Sequence, residues 1–281
     1  PAGLFLVEDA KGEPARLAVP SGGLGADRTC SRGGSLRPLL ALLALLALTV
    51  TLAYVPLGAG NAVVALAIVV LMIGIAVLVL IGREASEDDL KRDWVMVHEM
   101  VHTALPDLDD RYAWLSEGLA VYIEPVARVQ AGDLTAQEIW RAMMRDMPKG
   151  LPQAGDQGLD NTDTWGRKYW GGALFCLLAD IEIRKRSGNR LGLQDAMRGV
   201  LAAGGNHEKD WTLARVLSTA DQAAGGEVLT HLHDEMGPKP VTPDLAALWQ
   251  DLGVKTQGET VAFDDTAPLA HEVAASITHG T

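Results

Sequence analysis

The distribution of apolar and charged positions divides the chain into an apolar N-terminal region and a longer charged region. No charged residue occurs within residues 38–82, where two almost wholly apolar runs, 39–55 and 62–82, flank the turn-like segment 56–61. Each run approaches the roughly 20 residues that a helix needs to cross the hydrocarbon of a bilayer. The pattern therefore predicts a transmembrane hairpin over residues 38–82. Buried β-structure is the alternative interpretation, because the second run is rich in Val and Ile.

The segments that flank this apolar region bear on its orientation and on the location of the protein. Residues 1–37 are rich in Gly, Pro, Ala and Arg without sustained periodicity, so we expect an irregular lead-in. Basic residues occur on both sides of the apolar region, and for a spanning hairpin the positive-inside rule predicts that both flanks are cytoplasmic. Residues 39–82 are thus expected to associate the protein with a membrane of the bacterial inner-membrane type.

After residue 82 the spacing of apolar positions changes to that of amphipathic helices separated by Gly, Pro and Asp. A capping-box pattern at residues 86–89 and the apolar positions before Pro106 predict a first helix over about residues 87–105. A second helix is predicted over residues 115–131, and Pro125 should kink it or end its regular part.

Capping residues and glycines predict further helices. Thr135 and Glu138 have the spacing of a cap for a third helix, a loop follows over residues 148–166, and Gly188 ends a helix predicted over residues 172–187. Shorter helices are predicted at 191–202, 211–224, 226–236 and 243–252, with one strand at 260–263. The fold class is therefore predicted to be mainly α. The predicted domains are the lead-in (1–37), the apolar hairpin (38–82), the main helical domain (83–255) and a C-terminal extension (256–281).

Composition and charge exclude several classes of partner and of site. The chain has 24 Lys and Arg against 36 Asp and Glu, a formal net charge of −12, and the acidic excess lies after residue 82. Because such a surface repels phosphate backbones, we expect no nucleic-acid partner. The two cysteines, Cys30 and Cys176, are far apart and form no CxxC motif, which argues against a thiolate zinc site and against a disulfide framework. Cys176 is interpreted as a core residue of an apolar helix.

The strongest candidate for chemistry is His98-Glu99-Met100-Val101-His102, which lies within the first predicted helix. Because residues four apart share one helix face, both imidazoles can bind a single zinc ion, and Glu99 then faces the metal-bound water. The alternative is a pair of surface histidines without a metal. The position of the motif in the middle of a helix favours the zinc site.

A catalytic zinc site requires a third protein ligand and an open position for water. Glu117 begins the second predicted helix, where a short loop after His102 can bring its carboxylate to the metal. Glu124, two turns further along the same face, has two interpretations: a hydrogen-bond partner of a ligand histidine, or a solvated side chain. The carboxylates just after Pro106 compete as ligands but are interpreted as loop and cap residues: Asp107, Asp109 and Asp110.

These motifs resemble those of the gluzincin metallopeptidases, specifically the glycyl aminopeptidase family and the related alanyl aminopeptidases. The resemblance rests on His98-Glu99-x-x-His102, on Trp114-x-Ser116-Glu117-Gly118-x-Ala120-x-Tyr122-x-Glu124 and on Tyr169-Trp170-Gly171-Gly172-Ala173-Leu174. It covers roughly residues 84–255 and implies a thermolysin-like zinc peptidase domain. In that family the tyrosine of the third motif hydrogen-bonds the tetrahedral oxyanion, so the resemblance assigns this role to Tyr169.

The resemblance implies a zinc-dependent peptidase that acts on peptides or proteins. Zinc would be held by His98, His102 and Glu117, with Glu99 as the general base and Tyr169 as the donor to the oxyanion. Aminopeptidase-like cleavage is one form of this activity, although the Gly-x-Met-Glu-Asn segment of alanyl aminopeptidases is absent from the sequence. The alternative function is a catalytically inactive zinc-binding membrane or scaffold protein.

Two further observations lie outside this assignment. The position two residues after the motif tyrosine is basic in the family, whereas the chain has Gly171 there. His231 and His233 lack a matching carboxylate pattern, and we expect them to point to different faces of a helix and to be exposed to solvent.

Overall fold

A computed structural model describes residues 7–8, 14–15, 86, 93–258 and 260–279 of the chain. The described part is mainly helical, with 63% of its residues in helices, which confirms the mainly α class. None of the described helices combines the length and the apolar character that a bilayer crossing needs. The predicted transmembrane hairpin, residues 38–82, lies outside the described residues. The chain divides into a first unit, Pro1–Leu57, and a second unit, Gly58–Thr281. In the first unit, β1 (Val7–Glu8) pairs with β2 (Pro14–Ala15) in an antiparallel ladder.

The second unit contains the remaining described elements, which follow one another as helices and end in a short hairpin. The α-helices are α1 (Val95–His102), α2 (Ala113–Ala131), α3 (Ala136–Asp146), α4 (Gly172–Ser187), α5 (Leu193–Ala202), α6 (Leu213–Ala224), α7 (Val228–Met236), α8 (Leu245–Asp251) and α9 (Ala275–His279). Short 3-10 helices span Asp110–Tyr112, Met147–Gly150 and Leu159–Asn161, and π-helices span Gly166–Gly171 and Ala270–Ala274. The strands are β3 (Val254–Gln257) and β4 (Thr260–Phe263).

The first helix is shorter than the sequence pattern predicts. Asp93 and Trp94 precede α1, and an oxygen of the Asp93 carboxylate accepts the N–H of Val95 at 2.8 Å. At the other end the N–H of Thr103 bonds the carbonyl of Met100, three residues back, which tightens the last turn and ends the helix. The predicted helix is therefore wrong at residues 93–94 and 103–105, and residues 87–92 lie outside the described part of the chain, although the His98–His102 segment is helical as expected.

Pro125 does not end the second helix. α2 continues through Pro125 to Ala131 and ends at Gly132, whose φ of 87° belongs to the left-handed region. Proline lacks the N–H that would close the local helical hydrogen bond. Tertiary packing offsets this loss, because α2 lies along α4 and buries the residues on that face.

α4 is the central helix of the core and spans the residues predicted for it, 172–187. Its side chains are buried on several faces, and Gly188 ends it in the left-handed conformation with φ 60°. The buried positions include Leu174, Phe175, Cys176, Leu177 and Ile183. Cys176 is a free, buried thiol, which confirms its interpretation as a core residue.

A polar network also joins α2 to α4 inside this core. The hydroxyl of Tyr122 donates to one oxygen of Asp180 at 2.7 Å, and Nε of Arg184 bonds the other oxygen at 3.0 Å. Burial raises the pKa of Tyr122 well above its usual value, and the charge of Asp180 adds to this effect. The Tyr122–Asp180 bond is the one that crosses between the helices, and it fixes their register more sharply than apolar packing alone, while Arg184 binds Asp180 within α4.

The last described residues pack against the same core. β4 occupies the predicted strand, residues 260–263, and pairs with β3, which the sequence pattern does not predict because only its first residue is buried. The predicted boundary at residue 255 falls within β3. Val273 and Ile277 are buried, and the side-chain amide of Gln130 donates to the carbonyl of Ile277 at 3.0 Å.

Candidate metal centre

α1 presents two histidines on one face. His98 and His102 are four residues apart, which places their side chains in adjacent turns of the same stripe. Their ring centroids are 5.0 Å apart and the rings are nearly perpendicular. His98 is 2% exposed, whereas His102 is partly exposed, so one side of the pair is open to solvent.

Glu117 on α2 completes a group of three potential ligands. Its Oε2 atom lies 3.4 Å from Nε2 of His98 and 3.6 Å from Nε2 of His102. In a tetrahedral zinc site with bonds of about 2.0–2.1 Å, ligand atoms lie about 3.3–3.4 Å apart. The two distances from the Glu117 oxygen are close to this spacing, and the three ligand atoms all lie within 4.8 Å of one another, near enough to share one metal ion. Within the part of the chain that the structure describes, this is the one group of at least three such side chains close enough to share a metal.

The competing carboxylates have other roles. The side chain of Asp109 accepts the N–H of Arg111 and caps the 3-10 helix that follows. Asp107 forms backbone hydrogen bonds with Lys209 and Trp211. These residues are loop and cap residues, as the sequence analysis interpreted them.

The electrostatics of the triad favour an ionised carboxylate. Burial alone would raise the pKa of Glu117, but hydrogen bonds from His102 and His98 outweigh it and lower the pKa to about 2. Burial lowers the pKa of His102, whereas the hydrogen bond with Glu117 and the charges of Glu117 and Glu99 raise it, and the net pKa is raised. The carboxylate is thus held ready to bind a cation, because its charge persists at neutral pH.

Two glycines bring the carboxylate of α2 close to the start of α4. A Cβ atom at Gly118 would collide with the backbone of Gly172, and one at Gly172 would collide with the carbonyl of Trp114. The two helices therefore touch backbone to backbone one residue after Glu117. Any side chain at either glycine would push the helices apart. The segment that precedes Gly172, including Tyr169, is consequently held beside Glu117.

Tyr169 lies in the π-helix Gly166–Gly171, beside the triad. Burial raises its pKa, and the charges of Glu117 and Glu99 raise it further, to about 12. The ring of Trp165 stacks on that of Tyr169, with centroids 5.9 Å apart. π-Helical turns are rare in proteins, and those that do occur are often located at functional sites. The phenol stays protonated at neutral pH and can donate a hydrogen bond.

Glu99 lies beside the triad without belonging to it. Its charge acts on both His102 and Tyr169, which places the carboxylate near these two side chains. The residue is half-buried, so water can reach it. All five residues that the sequence analysis names for the site therefore lie in one neighbourhood: His98, Glu99, His102, Glu117 and Tyr169.

Glu124 has a different environment from both of its sequence interpretations. It is 8% exposed, and Nη1 of Arg128 donates to its Oε1 at 2.7 Å. It is therefore not solvated, and it pairs with an arginine of its own helix rather than with a ligand histidine. Nδ1 of His98 is buried and has no hydrogen-bond partner among the described residues.

The expectation for the two histidines of α7 is correct for one and wrong for the other. His231 is exposed, with 64% of its side chain accessible. His233 is partly buried instead, and its Nε2 lies 2.9 Å from Oδ2 of Asp160. Nε1 of Trp114 donates to the other oxygen of Asp160, and the indole stacks on the imidazole. Sequence reasoning missed this cluster because its members come from three separate segments and form no local motif.

No protein-family model matches the chain, and a search of curated proteins also finds no match. The resemblance to gluzincin peptidases therefore depends on the three motifs of the sequence and on the geometry described above.

Proposed function

We propose that the protein is a zinc-dependent metallopeptidase of the gluzincin type, with a thermolysin-like catalytic domain that hydrolyses peptide bonds. The observation that carries the proposal is the position of Glu117, whose carboxylate lies 3.4 and 3.6 Å from the Nε2 atoms of His98 and His102. The sequence pattern supports two of these ligands locally, and the third comes from another helix.

The donor set suits zinc and a catalytic rather than a structural site. Two imidazoles and one carboxylate are typical zinc ligands, and structural sites usually have four protein ligands. Three protein ligands leave one coordination position for water or substrate. The partial exposure of His102 and Glu117 provides access to that position.

The residues around the triad have the properties that peptide hydrolysis needs. When bound, zinc supplies a Lewis acid that polarises the scissile carbonyl and lowers the pKa of water. Glu99 accepts a proton from the attacking water and delivers it to the leaving amine. The hydroxyl of Tyr169 donates a hydrogen bond to the oxyanion, a contribution worth about 3 kcal/mol for a well-placed donor.

Metal analysis combined with an activity assay tests this proposal. The full chain is purified as wild type and as the variants Glu117→Ala and Glu99→Gln, with Glu235→Gln, an exposed glutamate of α7, as the matched control. We expect one zinc per chain in all except Glu117→Ala. Peptide hydrolysis should be sensitive to a zinc chelator, and both site variants should lose it while the control keeps it.

The same experiment separates the peptidase from the inactive zinc-binding scaffold. A wild-type protein that holds one zinc but hydrolyses no peptide in a diverse library would support the scaffold. A wild-type protein without zinc would contradict both functions. A library that contains blocked and free amino termini also reports whether cleavage is aminopeptidase-like.

A further inference from the structure

We propose that Arg167 is a positioning residue for Tyr169, and this inference rests on the proposed peptidase function. Arg167 lies two residues before Tyr169 in the same π-helix and is 2% exposed. A guanidinium group carries a large desolvation cost, so it is buried only where its contacts compensate. The contacts of Arg167 all lead to the loop that precedes the π-helix.

One hydrogen bond and one ion pair hold the guanidinium, whose Nε and Nη2 atoms form no hydrogen bond among the described residues. Nη1 donates to the carbonyl of Gly150 at 2.5 Å, and Nε lies 2.8 Å from Oδ2 of Asp156. The other oxygen of Asp156 accepts the N–H of Gly158 at 2.8 Å. Arg167 therefore joins two separate points of the 148–166 loop to the π-helix through a buried cation.

The packing around this cation leaves little freedom to the π-helix. A Cβ atom at Gly150 would collide with the backbone of Trp170 and Gly171, and one at Gly166 would collide with the carbonyl of Lys149. At Gly171 a Cβ atom would lie 3.2 Å from Nη1 of Arg167, so the guanidinium fills the space beside this glycine. The loop and the π-helix thus fit together around the cation.

The geometry of a π-helix explains how this contact acts on Tyr169. Its i→i+5 hydrogen bonds close turns of slightly more than four residues, so residues two apart lie on nearly opposite sides. Arg167 points into the protein and Tyr169 lies on the side of Glu117. Fixing the inner side fixes the rotation of the helix about its axis, and with it the direction of the phenol. A displacement of about 1 Å can cost about a hundredfold in rate.

A matched pair of arginine variants tests the proposal on the full chain. Arg167→Met removes the anchor, whereas Arg184→Met removes an equally buried arginine that binds Asp180 on α4. We expect Arg167→Met to lower kcat by about ten- to a hundredfold, with KM and zinc content nearly unchanged. Arg184→Met should lower thermal stability to a similar extent without this loss of kcat. Arg167→Lys keeps the charge and should recover part of the rate. If Arg167→Met does not fold, Arg167→Lys provides the test in its place.

Combination with Tyr169→Phe decides whether Arg167 acts through the phenol. If it does, Arg167→Met has no further effect on kcat in the Tyr169→Phe background. An equal fold-loss in both backgrounds would overturn the proposal, because Arg167 would then support the site independently of Tyr169.

A spectroscopic measurement keeps this inference separate from the proposed function. The chain has four tyrosines, so 3-fluorotyrosine labelling gives four ¹⁹F resonances, and Tyr169→Phe identifies one of them. Arg167→Met should shift or broaden that resonance while Arg184→Met leaves it in place. An unchanged resonance would contradict the positioning role whether or not the protein hydrolyses peptides. If the resonance moves but the wild type has no peptidase activity, the proposed function fails and the structural coupling stands.

Discussion

α1 and α4 both border the candidate metal centre, but they differ in how they are held. α1 has eight residues, exposes Met96 and Met100 on its outer face and contributes two potential ligands. α4 has sixteen residues, is buried on several faces and contributes no ligand. The two candidate ligands thus lie on a helix whose outer face is exposed to solvent. The buried helix determines where the other parts of the site lie, and regions with few buried contacts are in general the less stable ones.

The largest expected effect is on the free energy of unfolding, and it differs between side chains of α4 and of α1. Phe175→Ala on α4 should lower the free energy of unfolding by about 3–5 kcal/mol, because it leaves a cavity in the core. Met96→Ala on α1 should change it by less than about 0.5 kcal/mol, since this side chain is 57% exposed. Urea unfolding followed by circular dichroism measures both. A large loss in Met96→Ala would show that the outer face of α1 is covered in solution.

Tyr169→Phe is expected to separate activity from stability. Loss of the hydroxyl should lower kcat by about 10²–10³-fold, because the donor acts on charge that develops in the transition state. Zinc content and unfolding free energy should stay near those of the wild type. Tyr112→Phe, on the 3-10 helix before α2, is the matched control. A Tyr169→Phe variant with full activity would remove this residue from the proposed mechanism.

Zinc binding should reduce the difference in local stability between α1 and α4. Without metal, the backbone amides of α1 should exchange with solvent faster than those of α4. At a free zinc concentration of about 100 times Kd, binding should stabilise the folded form of α1 over its locally unfolded form by about 2.7 kcal/mol. The exchange of its amides should slow correspondingly. Hydrogen exchange read by mass spectrometry measures this, and Glu117→Ala should abolish the effect. Equal protection of α1 and α4 in metal-free protein would contradict the comparison.

A smaller effect is expected at the contact between α2 and α4. Gly172→Ala places a methyl group against the carbonyl of Trp114 and should cost about 2 kcal/mol, with weaker zinc binding because Glu117 moves. Gly226→Ala is the control, since its Cβ atom would lie 3.8 Å from the nearest atom outside the adjacent residues, a side-chain nitrogen of Arg186. Calorimetric zinc titration of both variants measures the consequence. Unchanged zinc affinity in a destabilised Gly172→Ala protein would show that the close contact does not determine the site.

Local rules predicted those parts of the molecule that depend on neighbouring residues. The capping box of Thr135 and Glu138 forms with both of its hydrogen bonds, and α4 ends at Gly188 as predicted. The His98–His102 pair shares a helix face because a helix repeats every 3.6 residues. The prediction for α1 was wrong at residues 93–94 and 103–105, because the Asp93 side chain and the turn after His102 set these ends and apolar periodicity does not report such contacts.

The sequence by itself determined the helical class, the pairing of two imidazoles on α1 and the candidacy of Glu117 as a third ligand. Only the tertiary structure decided that Glu117 lies 3.4 and 3.6 Å from the two histidines and that Gly118 contacts Gly172, because both depend on how separate helices pack. The same holds for the burial of Arg167 against Asp156. Local patterns depend on the spacing of neighbouring residues, whereas the meeting of distant residues depends on how the whole core packs.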